Sequence, residues 1–369
     1  MQYKEYELGE LLPFEQPTAY IVKSTDYNDS YSTPVLTAGK SFILGKTNEK
    51  YGIFDQLPVI IFDDFTTATQ FVNFKFKVKS SAMKILHINT ALVMPKYIFY
   101  RLQIIQFDHS THKRYWIQSY SKIKVSIPSL DEQSRIVSRI EELFSELDKA
   151  VDTLKTTKEQ LEVYRQAVLK DAFSNIAEYI PFGKITSSRL GKMLDKQKNV
   201  GVPCKYLRNI NVRWFSFNPS DLLDMKIEEK EFEKYTICKN DLVICEGGEP
   251  GRCAVWEKDE TIFYQKALHR VRFTIKAEPR FYMYYLWYIT QSGSINKFYT
   301  GTGIKHLTGQ SLEKIPVPVT DIGEQKRLLE LIEMRLSVCD NIEKTVDAAL
   351  AQADAMRQSI LKQAFEGKL

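Results

Sequence analysis

The sequence predicts an α+β protein in which two globular mixed α/β domains are separated by two long antiparallel α-helices that form a coiled-coil rod. The first observation is an internal repeat. At a constant offset of 192 residues, Glu132–Phe173 aligns without a gap with Glu324–Phe365, and 15 of the 42 aligned positions are identical. The second is a 3.5-residue apolar period in both copies, which is typical of helices that pack on each other. Two similar halves predict a pseudo-twofold molecule.

Each copy carries an apolar seam that advances in steps of three and four residues. The predicted seam positions are Ile136, Ile140, Leu143, Leu147, Leu154, Leu161 and Tyr164 in the first copy, and Leu328, Ile332, Ile342, Val346, Met356 and Ile360 in the second. Ser129-x-x-Glu132 and Asp321-x-x-Glu324 have the spacing of a helix-capping box. The alternative is that the two helices pack separately on the globular domains, but a matching seam in both copies favours their pairing.

The repeat divides the chain of 369 residues, which is long enough for two hydrophobic cores, into four parts. They are a first globular domain (1–128), a central helix (129–175), a second globular domain (176–318) and a C-terminal helix (319–369). Runs of β-branched and aromatic residues predict strands within 33–45, 59–78 and 267–273. Two further segments, 97–105 and 281–289, have the composition of helices.

The globular segments are basic and the helices are acidic. Residues 1–128 hold 15 Lys and Arg against 11 Asp and Glu, and residues 174–320 hold 22 against 16. The segments 129–173 and 321–369 have 7 basic residues each, against 10 and 9 acidic ones. Two basic domains on a spacer suit a polyanion that is bound at two places, and nucleic acid is the first candidate. The imbalance is modest and also fits ordinary surface charge, so charge alone does not decide.

The cysteines and the hydropathy indicate a reduced, cytoplasmic protein. Five cysteines, an odd number, show no C-x-x-C spacing, which predicts reduced thiols and no zinc site. The sequence has neither a signal-peptide pattern nor an apolar run of about 18 residues, so no membrane segment is expected.

The sequence contains near matches to nucleotide-binding and metal-binding motifs, but none of them is complete. TAGKS at 37–41 has Pro34 where a phosphate loop needs Gly, and EGGEPGR at 246–252 lacks the G-x-G-x-x-G spacing. His109-x-x-His112 has no Cys or carboxylate nearby, which favours a solvent-facing loop over a metal pair. We therefore expect no catalytic centre, no bound cofactor and no metal site in this chain.

Essentially the whole chain resembles the specificity subunits of type I restriction–modification systems. The segments that carry the resemblance are IPSLDEQSRIVSRIEELFSELD (127–148), RQAVLKDAF (165–173), YLRNINV (206–212), DLVICEGGEPGRCAVW (241–256) and RQSILKQAFEGKL (357–369). Asn240 departs from the family, which usually has Gly there, but Asn also tolerates a turn.

The resemblance implies a non-catalytic subunit with two target-recognition domains, each of which reads one half of a bipartite site in double-stranded DNA. The helices would act as a ruler and as the docking surface for two methyltransferase subunits, with motor-nuclease (restriction) subunits completing the complex. S-adenosylmethionine, ATP and Mg²⁺ would bind to those partners, which methylate adenine N6 and cleave unmethylated DNA. The alternatives are a coiled-coil scaffold that spaces two protein-binding domains, and a nuclease or methyltransferase with a cryptic site.

Candidates for DNA contact are polar residues in glycine-containing or strand-connecting loops, because base edges are read mainly by Arg, Lys, Asn and Gln. They are Lys40, Ser41, Thr66, Thr67, Thr69, Gln70, Arg114 and Tyr115 in the first domain, and Arg208, Asn209, Asn211, Arg213, Glu246, Arg252, His269, Lys305, His306 and Gln310 in the second. The loop 305–310 ranks first, since three neighbouring glycines leave its polar tips room to approach a groove. About half of the set is expected to contact only phosphates or other residues of its own domain.

Overall fold

The computed structural model describes residues 3–37, 41–108, 114–195 and 197–369. The chain divides into two compact units: unit 1 comprises residues 1–154 and 348–369, and unit 2 comprises residues 155–347. Both long helices cross this division, so each unit holds one part of each of them. The four-part division expected from the sequence stays a prediction.

The first part of the chain is rich in short strands. Its elements are β1 (Lys4–Glu7), α1 (Leu8–Leu11), β2 (Phe14–Glu15), β3 (Thr33–Leu36), β4 (Ile43–Thr47), β5 (Val59–Asp63), β6 (Thr69–Val72), β7 (Lys77–Val78), β8 (Met83–His87), α2 (Pro95–Leu102), α3 (Tyr115–Gln118) and β9 (Lys124–Ile127), followed by the long helix α4 (Leu130–Ser174). The predicted strands and the helix expected near residue 97 are thus confirmed, with α2 ending three residues earlier than expected.

The second part has a comparable plan. It contains β10 (Tyr179–Pro181), β11 (Thr186–Leu190), β12 (Val202–Leu207), β13 (Val212–Arg213), β14 (Ser216–Phe217), β15 (Leu223–Ile227), α5 (Phe232–Tyr235), β16 (Thr236–Ile237), β17 (Leu242–Cys245), β18 (Cys253–Val255), β19 (Ile262–Tyr264), β20 (Leu268–Phe273), α6 (Pro279–Gln291), α7 (Gly309–Glu313), β21 (Pro316–Pro318) and the long helix α8 (Ile322–Phe365). The strand and the helix predicted at 267–273 and 281–289 are confirmed as β20 and α6.

In each unit one central strand is buried on both faces. Unit 1 contains a four-stranded sheet in the order β2-β8-β5-β6 and a three-stranded sheet, β4-β3-β7. Ile60 and Phe62 of β5 pack with α2 and α3, whereas Val59 and Ile61 face a second cluster under β3 and β7. Such double burial explains why this strand reads as an uninterrupted apolar run rather than as an alternating one.

Unit 2 repeats this arrangement with two four-stranded sheets, β11-β20-β17-β18 and β15-β12-β19-β16. Leu242 and Ile244 of β17 join the cluster that includes α6 and both long helices, and Val243 and Cys245 face the other cluster. A short antiparallel pair precedes each long helix, β1 with β9 in unit 1 and β10 with β21 in unit 2. The internal repeat therefore extends from the helices to the strands that lead into them.

In unit 2 the parts of α4 and α8 run antiparallel, as predicted. Arg165 binds Asp340 at 2.8 Å, and Lys158 binds Asp347 at 2.7 Å, so residue numbers rise along one helix as they fall along the other. Arg165 is largely buried and also binds Glu343 at 2.7 Å.

The same ion pair recurs in unit 1. Arg357 and Asp148, the repeat equivalents of Arg165 and Asp340, form an ion pair between α8 and α4. The Arg357 guanidinium also lies 5.0 Å from the centre of the Phe144 ring. Near the end of α8, Leu361 and Ala364 pack with Ile140 of α4. The pairing of the two helices is therefore antiparallel in both units.

Burial along the helices departs from the predicted seam at three positions. Ile140, Leu161, Leu328, Ile332 and Val346 are buried as expected, and most of the remaining seam residues are half-buried. Tyr164, Ile342 and Met356 are instead 47%, 40% and 46% exposed. An α-helix has 3.6 residues per turn, so a strict 3.5-residue pattern drifts around the helix unless supercoiling compensates for it.

The predicted helix starts are confirmed. The hydroxyl of Ser129 accepts a hydrogen bond from the Glu132 N–H at 3.4 Å, and a carboxylate oxygen of Asp321 accepts from Gly323 and Glu324 at 2.9 and 3.1 Å. Among the described residues, no helix combines the length and the apolar composition that a membrane span requires.

Candidate nucleic-acid interface

In unit 2 the segment Glu246–Arg252 forms the turn between β17 and β18. Gly248 and Gly251 adopt φ values of +76° and +93°, a backbone conformation that favours glycine. A Cβ atom at Gly251 would lie 3.0 Å from a methyl group of Ile295. The glycines of this motif therefore serve a tight hairpin turn, and the strand that follows excludes the helix that a phosphate loop would open.

A second loop is hydrogen-bonded to this turn. The Asn209 amide donates to the carbonyl of Gly247 at 2.8 Å, and Arg252 donates to the carbonyl of Asn209 at 3.0 Å. Arg252 also binds the carboxylate of Glu249 at 2.6 Å. These contacts bring together the segments 208–211 and 246–252, two of the regions that the sequence selected.

A third loop joins them. The Leu307 N–H donates to the carbonyl of Glu246 at 2.7 Å, and His306 exchanges two backbone hydrogen bonds with Thr300, at 2.8 and 2.9 Å. The His306 ring lies beside Gly247, where a Cβ atom would come within 3.0 Å of Nδ1. We call the three segments 208–213, 246–252 and 300–310 the unit 2 loop surface.

Exposed polar side chains cover this surface. Arg213, Lys305, His306 and Gln310 are all exposed. Lys305 extends over the ring of Tyr299, with its Nζ 5.8 Å from the ring centre. These residues combine a guanidinium, an ammonium, an imidazole and a carboxamide, which together can contact both phosphates and base edges.

Other predicted contact residues support the loops from beneath. His269 is 1% exposed, and its Nε2–H donates to the carbonyl of Leu307 at 2.9 Å. Burial lowers the pKa of His269, so the ring is neutral at pH 7. Asn211 is fully buried and donates to Asp221 at 2.6 Å, while Arg208 binds the same carboxylate, also at 2.6 Å. His269 and Asn211 are both DNA-contact candidates, and in this structure their side chains are buried and hydrogen-bonded within unit 2. Contact of either residue with DNA stays a prediction.

In unit 1 the turn between β5 and β6 lies against the start of α3. The backbone carbonyl of Asp64 accepts from the Tyr115 N–H at 2.9 Å, and its carboxylate accepts from the Trp116 N–H at 2.8 Å. Thr66, Gln70 and Arg114 are exposed here, and Thr67 and Thr69 are half-buried. The structure thus brings together most of the residues predicted in unit 1, but Tyr115 is buried and acts as a support.

One further predicted position, Ser41, stands apart from this group. Ser41 is exposed and comes just before β4, a strand of the three-stranded sheet of unit 1. Lys40, His109 and His112 lie outside the described residues.

Sequence reasoning missed the ion pair beneath this turn. Lys84 of β8 lies 3.3 Å from the Asp64 carboxylate, and the two side chains are 0% and 1% exposed. Burying a charge is costly unless a partner compensates for it, so the pair has to form as a unit. The signal in the sequence was Lys84 within the apolar strand MKILH, because a lysine on a buried strand needs a carboxylate partner.

Comparisons with known proteins agree with this organisation. The family described as "Type I restriction modification DNA specificity domain" matches residues 2–163 and 205–352. The specificity subunit of the type I restriction enzyme EcoR124I/EcoR124II from Escherichia coli is 31% identical over 388 aligned positions, which cover 95% of this chain and 90% of that protein.

Two solved structures have the same fold over their full lengths. One comes from a study of complex assembly and conformational transition of the type I R-M system. It has a TM-score of 0.73 at 16% identity, and the alignment covers 100% of this chain and 98% of the other chain. The HsdS subunit from Thermoanaerobacter tengcongensis has a TM-score of 0.58 at 15% identity, with 100% and 97% covered. The chain therefore belongs to the family of type I restriction–modification specificity subunits, the non-catalytic subunits of these systems.

Proposed function

We propose that this chain reads a bipartite target in double-stranded DNA, with one half-site contacted by each unit, and that the α4–α8 pair sets the number of unread base pairs between them. The observation that carries the proposal is the repetition. Each unit presents exposed polar loops on a doubly buried strand, and each contains the same Arg–Asp pair between the long helices.

The loops have the chemistry that DNA recognition needs. In unit 2, Arg213, Lys305 and Gln310 are exposed on a surface whose backbone is held by hydrogen bonds among three segments. In unit 1, Gln70 and Arg114 are exposed beside a turn that is fixed by Asp64. Side chains on loops that are rigid before binding lose less conformational entropy when they bind, which favours specific readout.

The helices have the properties of a spacer. α4 has 45 residues and α8 has 44, and neither is interrupted. At 1.5 Å per residue, 45 residues span about 68 Å, roughly two turns of B-DNA at about 34 Å per turn. A stiff element of this length fixes where a second recognition domain meets the duplex.

Exposed apolar residues on the helices favour the proposal that partner subunits dock there. Met334 and Val338 of α8, one helical turn apart, are 61% and 53% exposed, and Val163 of α4 is 70% exposed. Exposed apolar residues in a helical row are typical of surfaces that bind other chains. Two methyltransferase subunits and the restriction subunits would bind to the helices, and S-adenosylmethionine, ATP and Mg²⁺ would be held by those partners.

The direct test is a genome-wide map of methylated adenine in cells that express this chain with its methyltransferase partner. We expect a split motif with a fixed unread spacer that disappears when the gene for this chain is deleted. Methylation that survives the deletion, or a short continuous motif, would favour the scaffold alternative.

A binding measurement tests the loop surface separately. Lys305→Ala is expected to weaken binding to the specific site and to reduce the slope of log K against log salt by about one, as the loss of one phosphate contact does. Lys276→Ala is the matched control. Lys276 is also exposed, but it follows the C-terminal end of β20, whereas the unit 2 loop surface contacts His269 near the N-terminal end of that strand. Equal effects of both substitutions would remove Lys305 from the interface.

A further inference from the structure

A buried glutamine near the start of α4 connects two helix N-termini in unit 1. The Gln133 side chain is 0% exposed, and its Oε1 accepts a hydrogen bond from the Met94 N–H at 2.7 Å. Its amide nitrogen donates to the carbonyls of Pro128 at 2.9 Å and Leu92 at 3.2 Å. Met94 is the N-cap residue of α2, and Pro128 precedes α4, so one side chain links the entries of both helices.

The repeat-equivalent residue makes the same connection in unit 2. Gln325 is 1% exposed, accepts from the Glu278 N–H at 2.9 Å, and donates to the carbonyl of Thr320 at 2.9 Å. Glu278 is the N-cap residue of α6, and Thr320 precedes α8. The arrangement thus occurs twice in the chain, at the Glu-Gln-x-Arg segment that both copies share.

The helices of the recognition domains need this external amide. In a capping box, the N-cap N–H is satisfied by a Glu or Gln side chain three residues along the same helix. That position is occupied by Tyr97 in α2 and by Phe281 in α6, and neither can act as such an acceptor. A carboxamide both accepts and donates, so Gln133 and Gln325 satisfy the N–H and at the same time bind the chain entering the long helix.

Apolar contacts alone would leave the angle between these helices less well defined. Val137 of α4 packs in the unit 1 core with Ile98 of α2, but hydrophobic burial is not directional. Hydrogen bonds require a narrow range of distances and angles. A buried amide bonded to both helix entries therefore restricts the orientation of one helix relative to the other.

We propose that Gln133 and Gln325 are positioning residues that fix the direction in which each long helix leaves its own recognition domain, and thereby the spacer length that the protein accepts. The inference rests on the proposed function, because the spacer depends on this direction only if the helices act as the ruler.

The test is a double variant, Gln133→Leu with Gln325→Leu, in the full chain expressed with its methyltransferase partner. Leucine has a similar volume and removes both hydrogen-bonding groups. The matched control is Gln166→Leu with Gln358→Leu. These two glutamines are also related by the repeat and lie on the same helices, where they are half-buried and exposed.

The readout is methylation of sites whose spacer equals the native length or differs from it by one base pair. We expect the double variant to keep the sequence of both half-sites but to lose at least about tenfold in discrimination between spacers, a change of about 1.4 kcal/mol. The control is expected to discriminate as the wild type does. Wild-type discrimination in a folded double variant would overturn the inference and leave the glutamines a purely stabilising role.

Two further outcomes are separable. A wild-type map without a fixed spacer would contradict the proposed function itself, whereas a fixed spacer that the double variant retains contradicts only the role of the glutamines. If the double variant does not fold, Gln133→Glu provides the test, because it keeps the acceptor for Met94 and removes the donor to Pro128. We then expect a smaller loss of spacer discrimination, and full discrimination would again overturn the inference.

Discussion

Removing the ammonium of Lys84 should disrupt the β5–β6 turn of unit 1, which carries the candidate contact residues, more than any single change among those exposed residues. Lys84→Met keeps the length and most of the volume of the side chain but leaves the Asp64 carboxylate buried without its counter-charge. That carboxylate also accepts from the Trp116 N–H at 2.8 Å, so its displacement would separate the β5–β6 turn from α3.

The expected cost is large because both partners are inaccessible to water. Breaking a buried ion pair by removing one partner destabilises a protein by about 3–5 kcal/mol. The double variant Asp64→Asn with Lys84→Met should recover most of this loss, since it buries no unpaired charge and the amide oxygen can still accept from Trp116. The comparison of single and double variants therefore isolates the charge from the shape.

Urea unfolding monitored by ¹⁹F NMR of fluorotryptophan-labelled protein resolves the two units. Of the four tryptophans, Trp116 lies in unit 1 and the other three lie in unit 2. We expect Lys84→Met to lower the midpoint of the Trp116 signal by more than about 1 M urea, with the other three signals unchanged. An unshifted Trp116 midpoint, or a double variant as unstable as the single one, would refute this explanation of how the turn is held.

Three further predictions concern the helices and unit 2. Arg165→Ala should lower the free energy of unfolding by about 2 kcal/mol, because the buried Arg165 makes hydrogen bonds to charged groups. Arg357→Ala should lower it by about 1 kcal/mol or less, because the Arg357 side chain is 33% exposed. Equal losses in urea unfolding would show that the difference in burial does not matter. Because burial lowers the pKa of His269, unit 2 should have its full stability above the unfolded pKa of about 6.5 and should lose stability as the pH falls below that value. His269→Gln should make the free energy of unfolding less dependent on pH between about pH 7.5 and 5.5. An unchanged dependence on pH would exclude His269 as its source. Asn240 has φ +71°, so Asn240→Ala should destabilise unit 2 by about 1 kcal/mol and Asn240→Gly should not; the reverse order of melting temperatures would show that backbone strain does not matter there.

The architecture could be predicted because it depends on periodic signals. The offset of 192 residues predicted the paired helices, and the capping spacing at Ser129 and Asp321 predicted where they start. Asn240 was expected to tolerate a turn at a position where Gly is usual in the family, and its positive φ agrees with that expectation. The helix starts and the turn are local features, and the pairing of the two distant helices could be inferred because the same apolar seam occurs twice in the sequence.

The supports of the candidate interface could not be predicted because they depend on long-range contacts. Asp64 and Lys84 are twenty residues apart and meet only when β5 and β8 pair. Gln133 was visible within the repeat, but its partner at Met94 is a backbone group that carries no sequence signal. His269 and Asn211 have the side chains of base-reading residues, and only their burial shows that they support loops.

The most direct test of two recognition surfaces on a helical ruler is to shorten the ruler. Removing residues 153–159 and 345–351 deletes seven residues from each helix and preserves the antiparallel pairing on both sides of the cut. Seven residues span about 10.5 Å, or about three base pairs at roughly 3.4 Å each. We predict a methylated motif with both half-sites unchanged and a spacer about three base pairs shorter. An unchanged spacer in an active complex, or altered half-site sequences, would contradict the ruler.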